Sequence, residues 1–224
     1  YLTFAIDYKI HHFHVTGYHI INLLIHISCG LLIWHIVKKT LQGMFENNTT
    51  SVVALFSSLI FVMHPVQTQA VTYIYQRHTC LATLFILSGF LCWIKMLECK
   101  RKRWFWLIMC SVSAIAGMFT KEIAIFFPFL ILMYFFWFRK KLNCFIKTWE
   151  VIFYSVFLFS IIPAILLLTH GINTSELHSV SSMQGPPGEI ITRRDYFLTQ
   201  GQAFLIYFKL LFLPLRQNLD YDIA

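Results

Sequence analysis

Three short basic runs alternate along this chain with three polar connectors, and an apolar run separates each from the next. Lys38–Lys39 follow the first apolar run, KRKR at 100–103 the third, and RKK at 139–141 the fifth. Between them lie the segments 64–78, 120–122 and 170–202. Short cytoplasmic loops of membrane proteins are enriched in Lys and Arg, so the alternation puts the basic runs in the cytoplasm and the other three segments on the far face. A chain written this way is constrained to pass back and forth through a bilayer.

Apolar runs near 18–37, 51–63, 80–98, 104–119, 123–138 and 151–169, with a shorter one at 203–214, supply the candidate helices. A hydrocarbon core takes about 20 helical residues, so the chain has room for about six to seven spans. The expected fold class is all-α, a polytopic transmembrane helix bundle. The run at 51–63 is short enough to be re-entrant or buried, and 203–214 either spans or re-enters. Pro128, inside IAIFFPFLILMYFFWF, is expected to kink its helix.

Composition agrees. Of 224 residues, 58% are hydrophobic and only 12% charged, where a soluble domain has about a quarter charged. The net charge of +8 resides in the inter-span loops and is accounted for by topology, which argues against a nucleic-acid partner. Cys29, Cys80, Cys92, Cys99, Cys110 and Cys144 form no CxxC pair and read as small buried thiols, supporting neither zinc nor a disulfide framework. The N-x-T sequons at Asn47 and Asn48 fall on the cytoplasmic side and read as turn residues. The chain opens at Tyr1 with no signal-peptide pattern before its first run, as expected of a fragment.

The polar stretch HPVQTQAVTYIYQRHT (64–79) carries the first candidate chemistry. A helix over 66–76 puts Val66, Ala70 and Ile74 on one face, as in an interfacial helix lying on the outer membrane surface. It delivers Arg77 to the start of the next span. That arginine either snorkels to the headgroups or contacts an anion, for which its planar guanidinium is well shaped. Lys121–Glu122 is either a solvated hairpin or a second cation for the same anion, with Glu122 orienting Lys121. Arg193 and Arg194, with Asp195, Tyr196 and Gln200, are a solvated loop end or a third contact. In the first span His19, Asn22 and His26 share a face and read equally as interhelical glue or as a ligand site. HHFH at 11–14 lacks a nearby carboxylate, so no metal site is expected.

GYHIINLLIH (17–26), HPVQTQAVTYIYQR (64–77), TKEIAIFFP (120–128), RRDYFLTQ (193–200) and LPLRQNLDYD (213–222) occur in that order. Together they resemble the membrane domain of bacterial tetratricopeptide-repeat glycosyltransferase-like proteins. These are similar to the eukaryotic transmembrane-and-TPR O-mannosyltransferases and to the GT-C superfold. The resemblance implies an enzyme moving a sugar, mannose among the candidates, from a polyprenyl-phosphate donor to an extracytoplasmic acceptor, a protein Ser or Thr. It implies no certain cofactor beyond that donor substrate. Arg77, Lys121, Arg193 and Arg194 then hold the donor phosphate, with His64, Gln69, Glu122, Tyr196 and Gln200 lining the site. An inverting transfer requires a carboxylate base, expected upstream of Tyr1 in a missing first outer loop. Asp7 does not match that motif and is not assigned the role. Residues 1–224 are expected to be a partial GT-C-like domain, inactive alone, with a TPR domain downstream. The implied setting is the bilayer of a bacterial inner membrane, with the site facing the periplasm, or alternatively the endoplasmic reticulum. Two other readings stand beside it: a polytopic binding or transport protein for lipid-linked glycans, and a membrane anchor presenting repeats.

Overall fold

A computed structural model of the chain describes residues 2–99, 101–138, 147–170 and 193–214. It divides into two compact units, Tyr1–Ile162 and Pro163–Ala224. Every described regular element is helical. In order they are α1 (Leu2–His11), α2 (Val15–Leu41), α3 (Asn47–Met63), α4 (Thr68–Thr72), α5 (Arg77–Glu98), α6 (Arg103–Thr120), α7 (Phe127–Phe138), α8 (Thr148–His170) and α9 (Arg193–Phe212).

Three stretches are long and apolar enough to cross a membrane: Val15–Leu41, Ile74–Glu98 and Arg103–Thr120. A fourth counts if Asn47–Met63 and Pro65–Thr72, bent by 49°, act as one broken span. Glu122–Phe138 and Thr148–Ser160 are apolar but shorter. The six to seven spans expected from the apolar runs are thus not reached among the described residues. Large side chains point outward along these helices, Phe56 at 60%, Phe129 at 60% and Phe153 at 69% exposure. That is the surface of a protein whose solvent is lipid.

The core of the first unit forms where α5 meets α6, α7 and α8. Trp93, Ile94, Cys110, Phe127, Ile131, Phe135, Val151 and Leu158 are buried there. Helices in lipid approach closely through small residues, and Gly89 supplies one such point. A Cβ on it would lie 3.1 Å from the Phe127 ring and 3.2 Å from Ser113 Cβ. Ser58 Oγ donates to the Gly30 carbonyl at 2.8 Å, tying α3 to α2.

Ion pairs mark one end of this unit. Lys39 at the close of α2 meets Glu98 at the close of α5 (2.5 Å), and Arg103, opening α6, meets Glu150, opening α8 (2.7 Å). Lys38, Lys39, Arg101, Lys102 and Arg103 therefore gather at one end, as their alternation with the polar connectors requires. The RKK run at 139–141 lies outside the described residues. The connectors 64–76 and 120–122 occupy the opposite end.

Local structure departs from expectation in four places. The expected single helix over 66–76 is three short turns: Pro65–Gln67 and Ile74–Gln76 are 3-10 turns, and α4 stands between them. Tyr73 breaks the run with extended backbone (φ −88°, ψ 108°), and Asn22 Nδ2 donates to the Val71 carbonyl at 3.5 Å. Pro128 does not kink a helix. It sits in the first turn of α7, after the 3-10 turn Glu122–Phe126, where a missing N–H costs little. Asn47 and Asn48 are not turn residues but open α3. Finally, α1 precedes the first apolar run, with Phe4, Asp7 and His11 on its inward face.

Candidate functional site

At the end opposite the basic loops, α1, α2 and α5 enclose a polar cluster. Arg77 is the first residue of α5 and its side chain is 0% exposed. Three of the five N–H donors of its guanidinium are engaged. Nε donates to Asn22 Oδ1 at 2.7 Å, one terminal nitrogen to the Asp7 carboxylate, and the other to the Tyr18 carbonyl at 3.0 Å. The Phe4 ring covers the cation with its centroid 4.6 Å away and the Tyr18 ring lies at 5.6 Å. A charge removed from water needs pairing and hydrogen bonds, and aromatic faces add a further attraction. Here every kind of compensation is present.

Each partner is delivered by local chain geometry. Phe4 and Asp7 are three apart on α1 and so share a face. His12 closes α1 in the left-handed conformation (φ 49°), its N–H donating to the Tyr8 carbonyl at 2.9 Å. Gly17 lies under the His11 ring, where any side chain would collide, so α1 can fold back onto α2. Tyr18 Oη fastens that turn by donating to the His12 carbonyl at 2.9 Å. HHFH is thus a turn, and among the described residues no three His, Cys, Asp or Glu side chains group as a metal site.

Beside the cluster lies an exposed rim. Lys121 follows α6 in extended backbone (φ −159°), and its Nζ donates to Thr79 Oγ1 at 2.6 Å. The Thr79 hydroxyl donates in turn to Gln76 Oε1 at 2.8 Å. His78, half-buried between these residues, is met edge-on by Phe4 (5.3 Å) and by Tyr75 (5.4 Å). Glu122 is exposed and opens the next 3-10 turn.

Arg77 does not snorkel: its guanidinium is sealed within the protein by Asp7, Asn22 and the Tyr18 carbonyl. Lys121 comes to the same helix start. His64 closes α3, and its Nδ1 accepts the Val66 N–H at 3.2 Å, capping the next turn. Gln69 is half-buried on α4. Arg193, Arg194 and Tyr196 lie in the first turns of α9, their side chains outside the described residues, and Gln200 is exposed on the same helix. Two members of the stripe in α2 act as glue: Asn22 holds Arg77, and the His26 ring nitrogen Nε2 pairs with the Val62 carbonyl at 3.2 Å while stacking on Phe61. Sequence reasoning missed the Asp7 partnership. Its only signal was a lone carboxylate three residues after an aromatic.

The fold and cluster define a class, an all-helical membrane protein with a buried ion pair beneath an exposed cationic rim. Comparison with known proteins adds a direction. The chain is 32% identical over 128 residues to Protein O-mannosyl-transferase F38B6.6 of Caenorhabditis elegans, covering 57% of this chain and 18% of that protein. It is 32% identical over 139 residues to Protein O-mannosyl-transferase Tmtc3 of Drosophila melanogaster, covering 54% and 15%. Human Protein O-mannosyl-transferase TMTC4 matches at 27% over 133 residues, covering 54% and 18%. The chain thus spans less than a fifth of the length of these relatives. No family model and no solved structure matches it.

Proposed function

We propose that the chain is part of the membrane domain of a GT-C-type glycosyltransferase. It moves a sugar, mannose first among the candidates, from a polyprenyl-phosphate carrier to a protein Ser or Thr hydroxyl outside the cytoplasm. The names of the relatives support the sugar and the acceptor, and the basic loops gathered at one end support an extracytoplasmic site, periplasmic or lumenal, at the other. One observation carries the reading: Lys121 bonded to Thr79 in the first turn of α5, the turn that the buried Arg77 opens.

In this reading the donor phosphate meets Lys121 at the positive end of the α5 dipole, where anions are favoured. Glu122 orients Lys121. His64 and Gln69 line the space around the sugar. Arg77 is the fixed charge beneath the site, held by Asp7. Asp7, engaged with Arg77, is not assigned as the base that takes the acceptor's proton.

The test is sugar transfer from a panel of radiolabelled polyprenyl-phosphate sugars in membranes carrying the full-length protein, wild type beside Lys121→Gln. Transfer that Lys121→Gln weakens supports the proposal. Bound lipid phosphate with no transfer from any donor replaces it with a carrier. Undiminished transfer by Lys121→Gln removes Lys121 from the site.

A further inference from the structure

We propose that Asp7 is a positioning residue for the phosphate-binding rim, acting through Arg77 and Phe4. The role rests on the reading of that rim as the donor-phosphate site. Asp7 is 2% exposed and 70 residues from its partner in sequence. Its carboxylate makes the ion pair that joins α1 to the start of α5. Through the other two arms of Arg77 the same pair fastens α5 to Asn22 and to the Tyr18 carbonyl of α2. Three helices are thereby locked at one point.

What that point controls is the rim. Arg77, His78 and Thr79 are consecutive in the first turn of α5, so fixing the first fixes the other two. Thr79 holds the Lys121 ammonium at 2.6 Å, and it can do so only while that turn stays in place against the α6 end. On the α1 side, Asp7 sets the register of the helix and so the place of Phe4. The Phe4 ring bears on the Arg77 cation at 4.6 Å and on the edge of His78 at 5.3 Å. One carboxylate therefore determines, without touching the ligand, where the cationic surface faces. An ion pair placed for strength alone has no need of this connection, since an apolar pair of similar volume packs a core as well or better.

The experiment uses the full-length protein in nanodiscs and a short polyprenyl monophosphate as probe. Hydrogen exchange over residues 2–11 is read beside probe affinity for wild type, Asp7→Asn, Asp7→Glu, Phe4→Leu and Lys121→Gln. Asp7→Asn keeps the shape and loses the charge. It is expected to speed exchange in α1 by about a hundredfold or more and to weaken the probe by about tenfold. Asp7→Glu restores affinity to within about threefold of wild type. Phe4→Leu leaves the ion pair whole, which guards against a simple folding failure, and lowers affinity by about threefold with α1 still protected.

Two results overturn the proposal while the phosphate site stands. In one, Asp7→Asn loosens α1 yet binds the probe as wild type does, with Lys121→Gln weakened. In the other, α1 exchange is unchanged by Asp7→Asn. A wild type that binds no polyprenyl phosphate at all overturns the donor-site reading, and the positioning role with it.

Discussion

At one end of the first unit, Lys39 and Glu98 are each about a third exposed, and Arg103 with Glu150 is similarly open. At the other end Arg77 and Asp7 meet with side-chain exposures of 0% and 3%. The two open pairs share their charges with water and each contributes no more than about 1 kcal/mol. The closed pair has surrendered hydration on both sides, so its net value is small while removal of either partner is severe. One end of the bundle tolerates change in its charges and the other does not. A buried pair beside an exposed cation adds little net stability, which is the basis for proposing that it holds its surroundings in place.

The sharpest way to break this contrast is Arg77→Gln, which leaves the Asp7 charge buried and unpaired. Its expected loss is about 3–5 kcal/mol, read as a fall in the unfolding midpoint in detergent. A loss as small as that of an exposed pair would erase the distinction between the two ends. Replacing both partners, Asp7→Leu with Arg77→Met, is expected to recover most of the lost stability, since no lone charge remains. If the double variant is as unstable as the single, the cluster is structural in its own right. Lys121→Gln comes next. It is expected to weaken a polyprenyl phosphate about tenfold at low salt, with the difference fading toward ~1 M salt where screening acts within about 3 Å. A salt-independent difference would mean that Lys121 acts by packing. Glu98→Gln is the smallest, under about 1 kcal/mol by the same unfolding measurement, and a larger loss would show that the open end is more closed than its exposure says.

Much of the fold was legible because long apolar runs leave little choice. The helices at Val15–Leu41, Arg77–Glu98 and Arg103–Thr120 follow from their apolar runs and from the basic residues that flank them. Asn22 and His26 were legible as polar groups sharing one face of an apolar helix, but the sequence left glue and ligand site equally open. Arg77 stood out by its chemistry, but its environment did not. Its carboxylate comes from 70 residues away, on a ten-residue helix that precedes any apolar run, and no local pattern joins the two. The break at Tyr73 was equally hidden, because side chains from other helices, rather than propensity, decide it. The position of Pro128 differed for a local reason: the apolar run around it is a 3-10 turn followed by a helix, and composition does not separate them.

The three short turns at 65–76 are tied to their surroundings by side chains that reach backbone atoms. Asn22 Nδ2 reaches the Val71 carbonyl at 3.5 Å, Cys80 Sγ the Ala70 carbonyl at 3.2 Å, and His64 Nδ1 receives the Val66 N–H at 3.2 Å. Each stitch fixes a backbone atom, not a side chain, so the segment works as a ruler between α3 and α5. Its residues can change more freely than its length. A single inserted residue would misplace several stitches at once and carry Arg77 out of reach of Asp7.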